Sequence, residues 1–223
     1  MKAIPTLLLA ALAASSSGAR ADAAAQSAGV IEGVVQLEPS PQPRRSAGAN
    51  RYPGGAIETR RPQELPTFAY LVGTVPGAEG VSTVRPAMTQ RDTTFVPSVV
   101  AVRAGGTVDF PNGDPFFHNV FSYSSAQRFD LGRYPQGESK SVTFDEPGIV
   151  ELFCEVHEFM RGAVVVTENP FHAVVAEDGR FRITGVPAGE HTIAFWHPDH
   201  RPLEQRVVVT AGGTARVEVE LKR

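Results

Sequence analysis

The sequence contains very little cysteine, and neither its basic nor its acidic residues are in large excess. Its 223 residues contain one cysteine, Cys154, so an internal disulfide framework is excluded. The 21 basic and 24 acidic residues give a formal charge of -3. Proteins that bind nucleic acid need a basic surface to neutralise phosphates, and this chain has no basic excess. We therefore expect no nucleic-acid partner.

Helical periodicity is also missing, whereas turn-forming residues are frequent. No stretch repeats apolar residues at helical spacing over three turns, and the chain contains 21 glycines and 18 prolines. Short apolar or alternating runs separated by Gly and Pro are typical of β-strands joined by turns. The pattern predicts an all-β protein.

Long apolar runs are absent, and the N-terminal 21 residues have the features of a secretory signal. Lys2 precedes an apolar run from Ile4 to Ala14, and residues 19–21 fit an A-x-A cleavage site. This run is too short to span a bilayer comfortably, and no later segment is long and apolar enough to do so. We expect an exported, periplasmic protein with a signal peptide at 1–21 and no membrane span.

The remaining chain divides into two predicted regions. The first, residues 29–167, begins with the strand Gly29–Leu37 and carries a Pro- and Arg-rich insertion at 38–66. The second, residues 169–223, reads as five short strands and ends in the alternating run Thr214–Leu221. A block of this size is near the lower limit for independent stability, so we expect it to pack on the first region.

Four side chains of the first region form a soft metal-ligand set. Cys154, His157 and Met160 have the spacing C-x2-H-x2-M on a predicted loop between two strands, and His118 lies upstream at the head of another strand. Two imidazoles, one thiolate and a weak axial thioether are the ligands of a type 1, or blue, copper site. The set predicts one mononuclear copper ion. Zinc is the weaker alternative, because structural zinc sites prefer a fourth strong ligand.

The first region resembles the cupredoxins. The resemblance covers roughly residues 29–167 and includes the runs Val102–Val108 and Phe144–Gly148 that lead to the two ligand clusters. It implies a Greek-key β-sandwich or barrel with His118, Cys154, His157 and Met160 as copper ligands. It also implies that Asn119, next to the first ligand, joins the two ligand loops by hydrogen bonding.

The second region resembles the carboxypeptidase regulatory-like, transthyretin-type β-sandwich. The runs Asp178–Ile193 and Ala211–Leu221 carry this resemblance, which implies a fold and says little about chemistry. Proteins with this pairing of domains are sometimes labelled methylamine-utilisation proteins, but no residue here indicates an amine substrate. No Ser-His-Asp, paired-carboxylate or phosphate-loop pattern occurs in this region, and we expect no enzymatic activity.

Two further groups of residues have less specific interpretations. His197 and His200 form an H-x2-H pair in a predicted turn, and we expect them to be solvated loop residues. We expect the phenylalanines near the ligands to pack in the core and to exclude water from the metal. They are Phe116, Phe117, Phe121, Phe153 and Phe159.

Together these features predict an exported blue copper protein that transfers single electrons between periplasmic redox partner proteins. A protein that delivers copper would use the same ligands, because affinity alone does not separate a carrier from an electron shuttle. A third interpretation is an envelope interaction module whose copper site is structural.

Overall fold

The computed structural model describes residues 28–39, 62–78 and 85–223. The predicted signal peptide at 1–21 lies outside the described residues, as does most of the 38–66 insertion. Within the described ranges all regular secondary structure is β-strand, which confirms the all-β prediction. No helix there is long and apolar enough to cross a membrane.

The first sandwich is built from nine strands and holds the predicted metal ligands. The strands are β3 (Thr89–Arg91), β4 (Thr94–Val96), β5 (Val99–Arg103), β6 (Gly106–Pro111), β7 (Phe121–Ser122), β8 (Phe129–Asp130), β9 (Ser139–Phe144), β10 (Gly148–Phe153) and β11 (Arg161–Thr167). Five of them form a sheet in the order β5-β11-β10-β7-β8, with β5 and β11 parallel, and β6 pairs with β9. Their inner faces bury one apolar core that includes Val108, Phe110, Val150, Leu152 and Val164.

The second sandwich consists of seven strands in two sheets. The strands are β1 (Gly29–Leu37), β2 (Phe68–Leu71), β12 (His172–Val174), β13 (Arg180–Val186), β14 (Gly189–Trp196), β15 (Leu203–Val209) and β16 (Thr214–Leu221). One sheet has the order β13-β1-β16 and the other the order β12-β2-β14-β15. The two sheets share a core that includes Ile31, Leu71, Ile183, Phe195 and Val217.

The sequence assigns β1 and β2 to the first region, but both strands belong to the second sandwich. β1 lies between β13 and β16, antiparallel to the former and parallel to the latter, and β2 pairs with β12 and β14. Gly33 permits the close approach of β1 to β16, because a Cβ at this position would lie 1.7 Å from the Val217 carbonyl oxygen. The alternating pattern of a strand predicts its buried face, not the sheet that it joins.

A third apolar cluster joins the two sandwiches. Phe68 and Trp196 of the second sandwich pack with Val99, Ala163 and Val165 of the first. These side chains are nearly or fully buried, and β11, which supplies two of them, follows the predicted ligand loop directly. The second sandwich therefore packs against the strand that anchors this loop.

Candidate metal centre

Three of the four predicted ligands converge on one point in the structure. His118 forms a β-bridge with Tyr134, and Cys154 follows the last residue of β10. The intervening turn brings His157 back toward Cys154, and the Met160 N–H closes it by donating to the His157 carbonyl at 2.9 Å. Among the described residues, no other group of three His, Cys, Asp or Glu side chains has all its ligand atoms within 4.8 Å.

The spacing of the three ligand atoms fits one metal ion. Cys154 Sγ lies 3.6 Å from His118 Nδ1 and 4.0 Å from His157 Nδ1, and the two nitrogens are 3.1 Å apart. A transition metal such as zinc bonds nitrogen at about 2.0–2.1 Å and thiolate sulfur at about 2.3 Å. Each separation is shorter than the sum of the two bonds it spans, so a single ion can contact all three atoms. We call this group of three residues the metal centre.

Burial of the metal centre is uneven. His118 is fully buried and Cys154 is 2% exposed, whereas His157 is only partly buried. Met160, the fourth predicted ligand, is also fully buried and belongs to the same apolar core as Cys154. The arrangement excludes water from three of the four side chains and leaves one imidazole at the surface.

Asp114 orients the buried histidine, a role that the sequence analysis missed. His118 Nε2 donates a hydrogen bond to Asp114 Oδ2 at 2.8 Å, so a neutral His118 has its lone pair on Nδ1, the atom that faces Cys154. Histidines that bind metals commonly donate their other ring N–H to a carboxylate or a carbonyl in this way. The carboxylate thus prepares the ring for metal binding.

Backbone donors hold Asp114 as an anion. Burial acts to raise the pKa of this carboxyl, but hydrogen bonds from the Thr93 N–H, from His118 and from the Asp92 N–H lower the pKa below its ordinary value. Asp92 and Thr93 both have positive φ angles, of 53° and 57°. This left-handed turn between β3 and β4 directs two successive N–H groups at one carboxylate.

Asn119 connects the two ligand loops. Its Oδ1 accepts a hydrogen bond of 2.7 Å from the backbone N–H of Glu155, the residue after Cys154. Its Nδ2 lies 3.4 Å from Asp130 Oδ1. The neighbours of His118 and Cys154 are therefore tied together, which limits the movement of one ligand relative to the other.

The aromatic surroundings differ in part from the prediction. Phe116 packs against the rings of both His118 and His157, with centroid distances of 5.2 and 5.3 Å, yet it is 40% exposed. Phe117 and Val156 are also exposed. The prediction that Phe116 and Phe117 lie in the core is wrong, because the turn that carries them lies on the outside of the sandwich. Phe116 instead forms an exposed apolar contact with the ring of His157.

Gln63 braces the ligand loop from outside the first sandwich. Its backbone N–H donates to the Phe159 carbonyl at 2.7 Å, next to Met160. Its side chain makes a reciprocal pair of bonds with the backbone of Phe95, donating at 2.8 Å and accepting at 3.0 Å. The segment that leads into β2 therefore holds the Met160 side of the loop.

Comparison with known proteins agrees with this geometry. The β-sandwich with converging His, Cys and His side chains defines a cupredoxin-type copper protein. Residues 83–167 match the copper-binding proteins of the plastocyanin/azurin family, and residues 157–222 match the carboxypeptidase regulatory-like domain. The chain belongs to the plastocyanin/azurin family, and its cofactor is copper.

Individual relatives match about a third of the chain. Amicyanin from Paracoccus versutus is 36% identical over 75 residues, which is 32% of this chain and 57% of the amicyanin. Plastocyanin from Scenedesmus fuscus is 35% identical over 83 residues, 32% of this chain and 85% of that protein. The chain thus spans little more than half of the amicyanin but most of this plastocyanin.

Solved structures give similar partial overlaps. A copper-containing nitrite reductase from Thermus scotoductus SA-01 is 24% identical with a TM-score of 0.37, over 45% of this chain and 26% of that one. Amicyanin from Paracoccus versutus is 25% identical with a TM-score of 0.35, over 44% of this chain and 96% of that one. Both alignments cover less than half of this chain.

Proposed function

We propose that the protein is an exported blue copper protein that transfers single electrons between periplasmic redox partners. In this proposal His118, Cys154 and His157 would be the strong ligands of the copper ion and the Met160 thioether would be its weak fourth ligand. The observation that carries the proposal is the convergence of two imidazole nitrogens and one thiol sulfur in a site that already has its ligand atoms in place. Copper, when bound, supplies the one-electron couple.

The hydrogen bonds around the metal centre support an electron-transfer role. Asp114 fixes the ring of His118, Asn119 joins the loops of His118 and Cys154, and Gln63 holds the loop at Phe159. Restraints on several sides keep the ligands near one geometry in both oxidation states. A small rearrangement on electron transfer is what a fast redox protein requires.

The exposed apolar side chains of Phe116, Phe117 and Val156 form an apolar surface that favours electron transfer to a redox partner through the exposed side of the metal centre. His157 is the one residue of the metal centre at the surface, and Phe116 packs on its ring. Weak redox complexes bury small interfaces, and a partner that covers this surface brings its own redox group close to His157. Within the same ligand loop Glu155 is paired with Arg133, whereas the exposed Glu158 favours a partner with basic groups at the rim.

We also propose where the protein is located and how its chain divides into units. Residues 1–21 act as a signal peptide and direct the protein to the periplasm. Residues 85–167 form the copper-binding unit, and the second sandwich, including β1 and β2, is an accessory unit that packs on β11. This division follows the strand pairing.

A redox titration tests the proposal against copper delivery. The copper-loaded protein is reduced with ascorbate and reoxidised with ferricyanide while its visible spectrum and bound copper are measured. An electron carrier loses and regains its thiolate-to-copper band over repeated cycles and keeps its copper. Loss of copper to a chelator on reduction, without recovery of the band, would instead indicate delivery.

A further inference from the structure

Two histidines outside the metal centre face each other in the turn between β14 and β15. The turn has the sequence His197-Pro198-Asp199-His200, and the His200 N–H donates to the His197 carbonyl at 3.2 Å. The two Nδ1 atoms lie 2.9 Å apart, with ring planes at 81°. Both residues lie in a turn, as predicted, but His200 is only 8% exposed, so the prediction that it is solvated is wrong, whereas His197 is partly exposed.

The hydrogen-bond partners show which ring atoms carry protons. His200 Nε2 lies 3.0 Å from the Glu38 carbonyl oxygen, which can only accept, so Nε2 carries a hydrogen and a neutral His200 has its lone pair on Nδ1. His197 Nδ1 accepts the backbone N–H of Asp199 at 3.1 Å and therefore also has a lone pair. Two lone pairs that face each other at 2.9 Å repel unless they share a cation.

The same pattern occurs in the metal centre. There His118 Nδ1 and His157 Nδ1 are 3.1 Å apart, and an acceptor, Asp114, holds the other nitrogen of His118. At His200 the Glu38 carbonyl has the role of that acceptor. An oxygen acceptor on the far ring nitrogen is the usual outer partner of a metal-bound histidine.

We propose that His197 and His200 form a second metal site, in which both Nδ1 atoms bind a divalent ion such as Cu²⁺ or Zn²⁺. With metal–nitrogen bonds of about 2.0–2.1 Å, the 2.9 Å separation places the two nitrogens in adjacent coordination positions, at roughly 90°. Burial first, and then the neighbouring His200, lower the pKa of His197. A neutral imidazole is the form that binds a metal.

Oxygen ligands complete the site. The turn borders an open cavity whose lining includes Glu38, Glu64 and Asp199. Water from this cavity fills the remaining positions around the ion. Metal binding replaces the hydrogen bond from the Asp199 N–H at His197 Nδ1, and the ion takes over that lone pair.

Zinc titration of the copper-loaded protein tests this site, because the metal centre is then already filled. We expect isothermal titration calorimetry and elemental analysis to show one zinc per chain, with the visible copper band unchanged. His200→Gln should weaken zinc binding at least tenfold. His191→Gln is the matched control, since His191 also bonds a carbonyl, that of Pro187, but belongs to neither metal site; it should bind zinc as the wild type does.

Three results would overturn the proposal. The first is no zinc uptake, in which case the two imidazoles share only a proton. The second is zinc uptake that bleaches the copper band. The third is zinc uptake that is reduced neither by His200→Gln nor by His197→Gln. A thermal melt shows whether His200→Gln folds. If it does not, His197→Gln replaces it, because His197 is the less buried of the two, and the same tenfold loss is expected.

Discussion

His118 Nε2 lies 2.8 Å from Asp114 Oδ2, and both side chains are buried. The same carboxylate accepts the N–H groups of Asp92 and Thr93, in the turn between β3 and β4. A surface turn is thereby linked through one carboxylate to the ring of a proposed copper ligand. The link fixes the ring orientation before any metal binds.

Asp114→Asn tests this link. The amide keeps the size of the carboxylate but loses its charge and replaces one of its two acceptor oxygens with an NH₂ group, which then faces at least one of the three donors. We expect the free energy of unfolding to fall by about 1–3 kcal/mol, the cost of leaving a buried donor without an acceptor. We also expect the reduction potential to rise, because a nearby negative charge stabilises Cu(II) more than Cu(I).

Denaturant unfolding and voltammetry measure the two effects. Asp145→Asn is the control, since Asp145 is exposed and the substitution removes the same charge from the surface. If both variants shift the potential equally, the effect comes from net charge and the link from Asp114 to His118 has no special role.

Gln63→Ala tests the brace on the ligand loop. The variant removes both side-chain bonds to Phe95, so we expect a loss of about 1–3 kcal/mol in stability and faster release of copper to a chelator. Gln127→Ala, which removes a single exposed bond to the Thr143 carbonyl, should change neither quantity by much. Equal rates of copper release in the two variants would contradict the brace.

Met160→Leu separates the axial ligand from those in the plane. Leucine keeps nearly the same volume, so packing is little disturbed, while the thioether, whose donated charge stabilises Cu(II), is lost. We expect the variant to stay blue with a higher reduction potential, and His157→Ala to change the spectrum outright. A colourless Met160→Leu beside a blue His157→Ala would reverse the two assignments.

A fragment of residues 85–167 tests whether the copper-binding unit is independent. All four proposed ligands lie within it, so we expect it to bind copper with the visible band of the whole chain. It should unfold at a lower temperature, because Val99, Ala163 and Val165 lose the cover of Phe68 and Trp196. A folded fragment without copper, judged by circular dichroism and elemental analysis, would show that a ligand lies elsewhere in the chain.

Most strands could be predicted from local patterns, but their partners could not. β1 and β16 have the predicted bounds, since alternation is encoded in consecutive residues. The sheet that β1 joins depends on residues far along the chain, so the assignment of β1 to the first region was wrong. The apolar run Phe95–Arg103 is divided between two strands, β4 and β5, because Pro97 interrupts the ladder.

The metal centre shows a similar division. Cys154 and His157 could be found because their spacing and chemistry are specific, whereas Asp114 could not be distinguished from an ordinary turn residue. The one available signal was an acid four residues before His118. Gln63 carries no signal at all, because its contacts with Phe95 and Phe159 arise only when the two sandwiches pack.

The visible spectrum and copper content of Cys154→Ser test the central claim most directly. A hydroxyl is a far poorer soft donor than a thiolate, and no disulfide is lost, so the fold should survive. We predict that the wild type is intensely coloured with one copper per chain and that the folded variant is colourless and binds copper much more weakly. A Cys154→Ser protein that kept the band would contradict the assignment of Cys154 as the copper-binding thiolate.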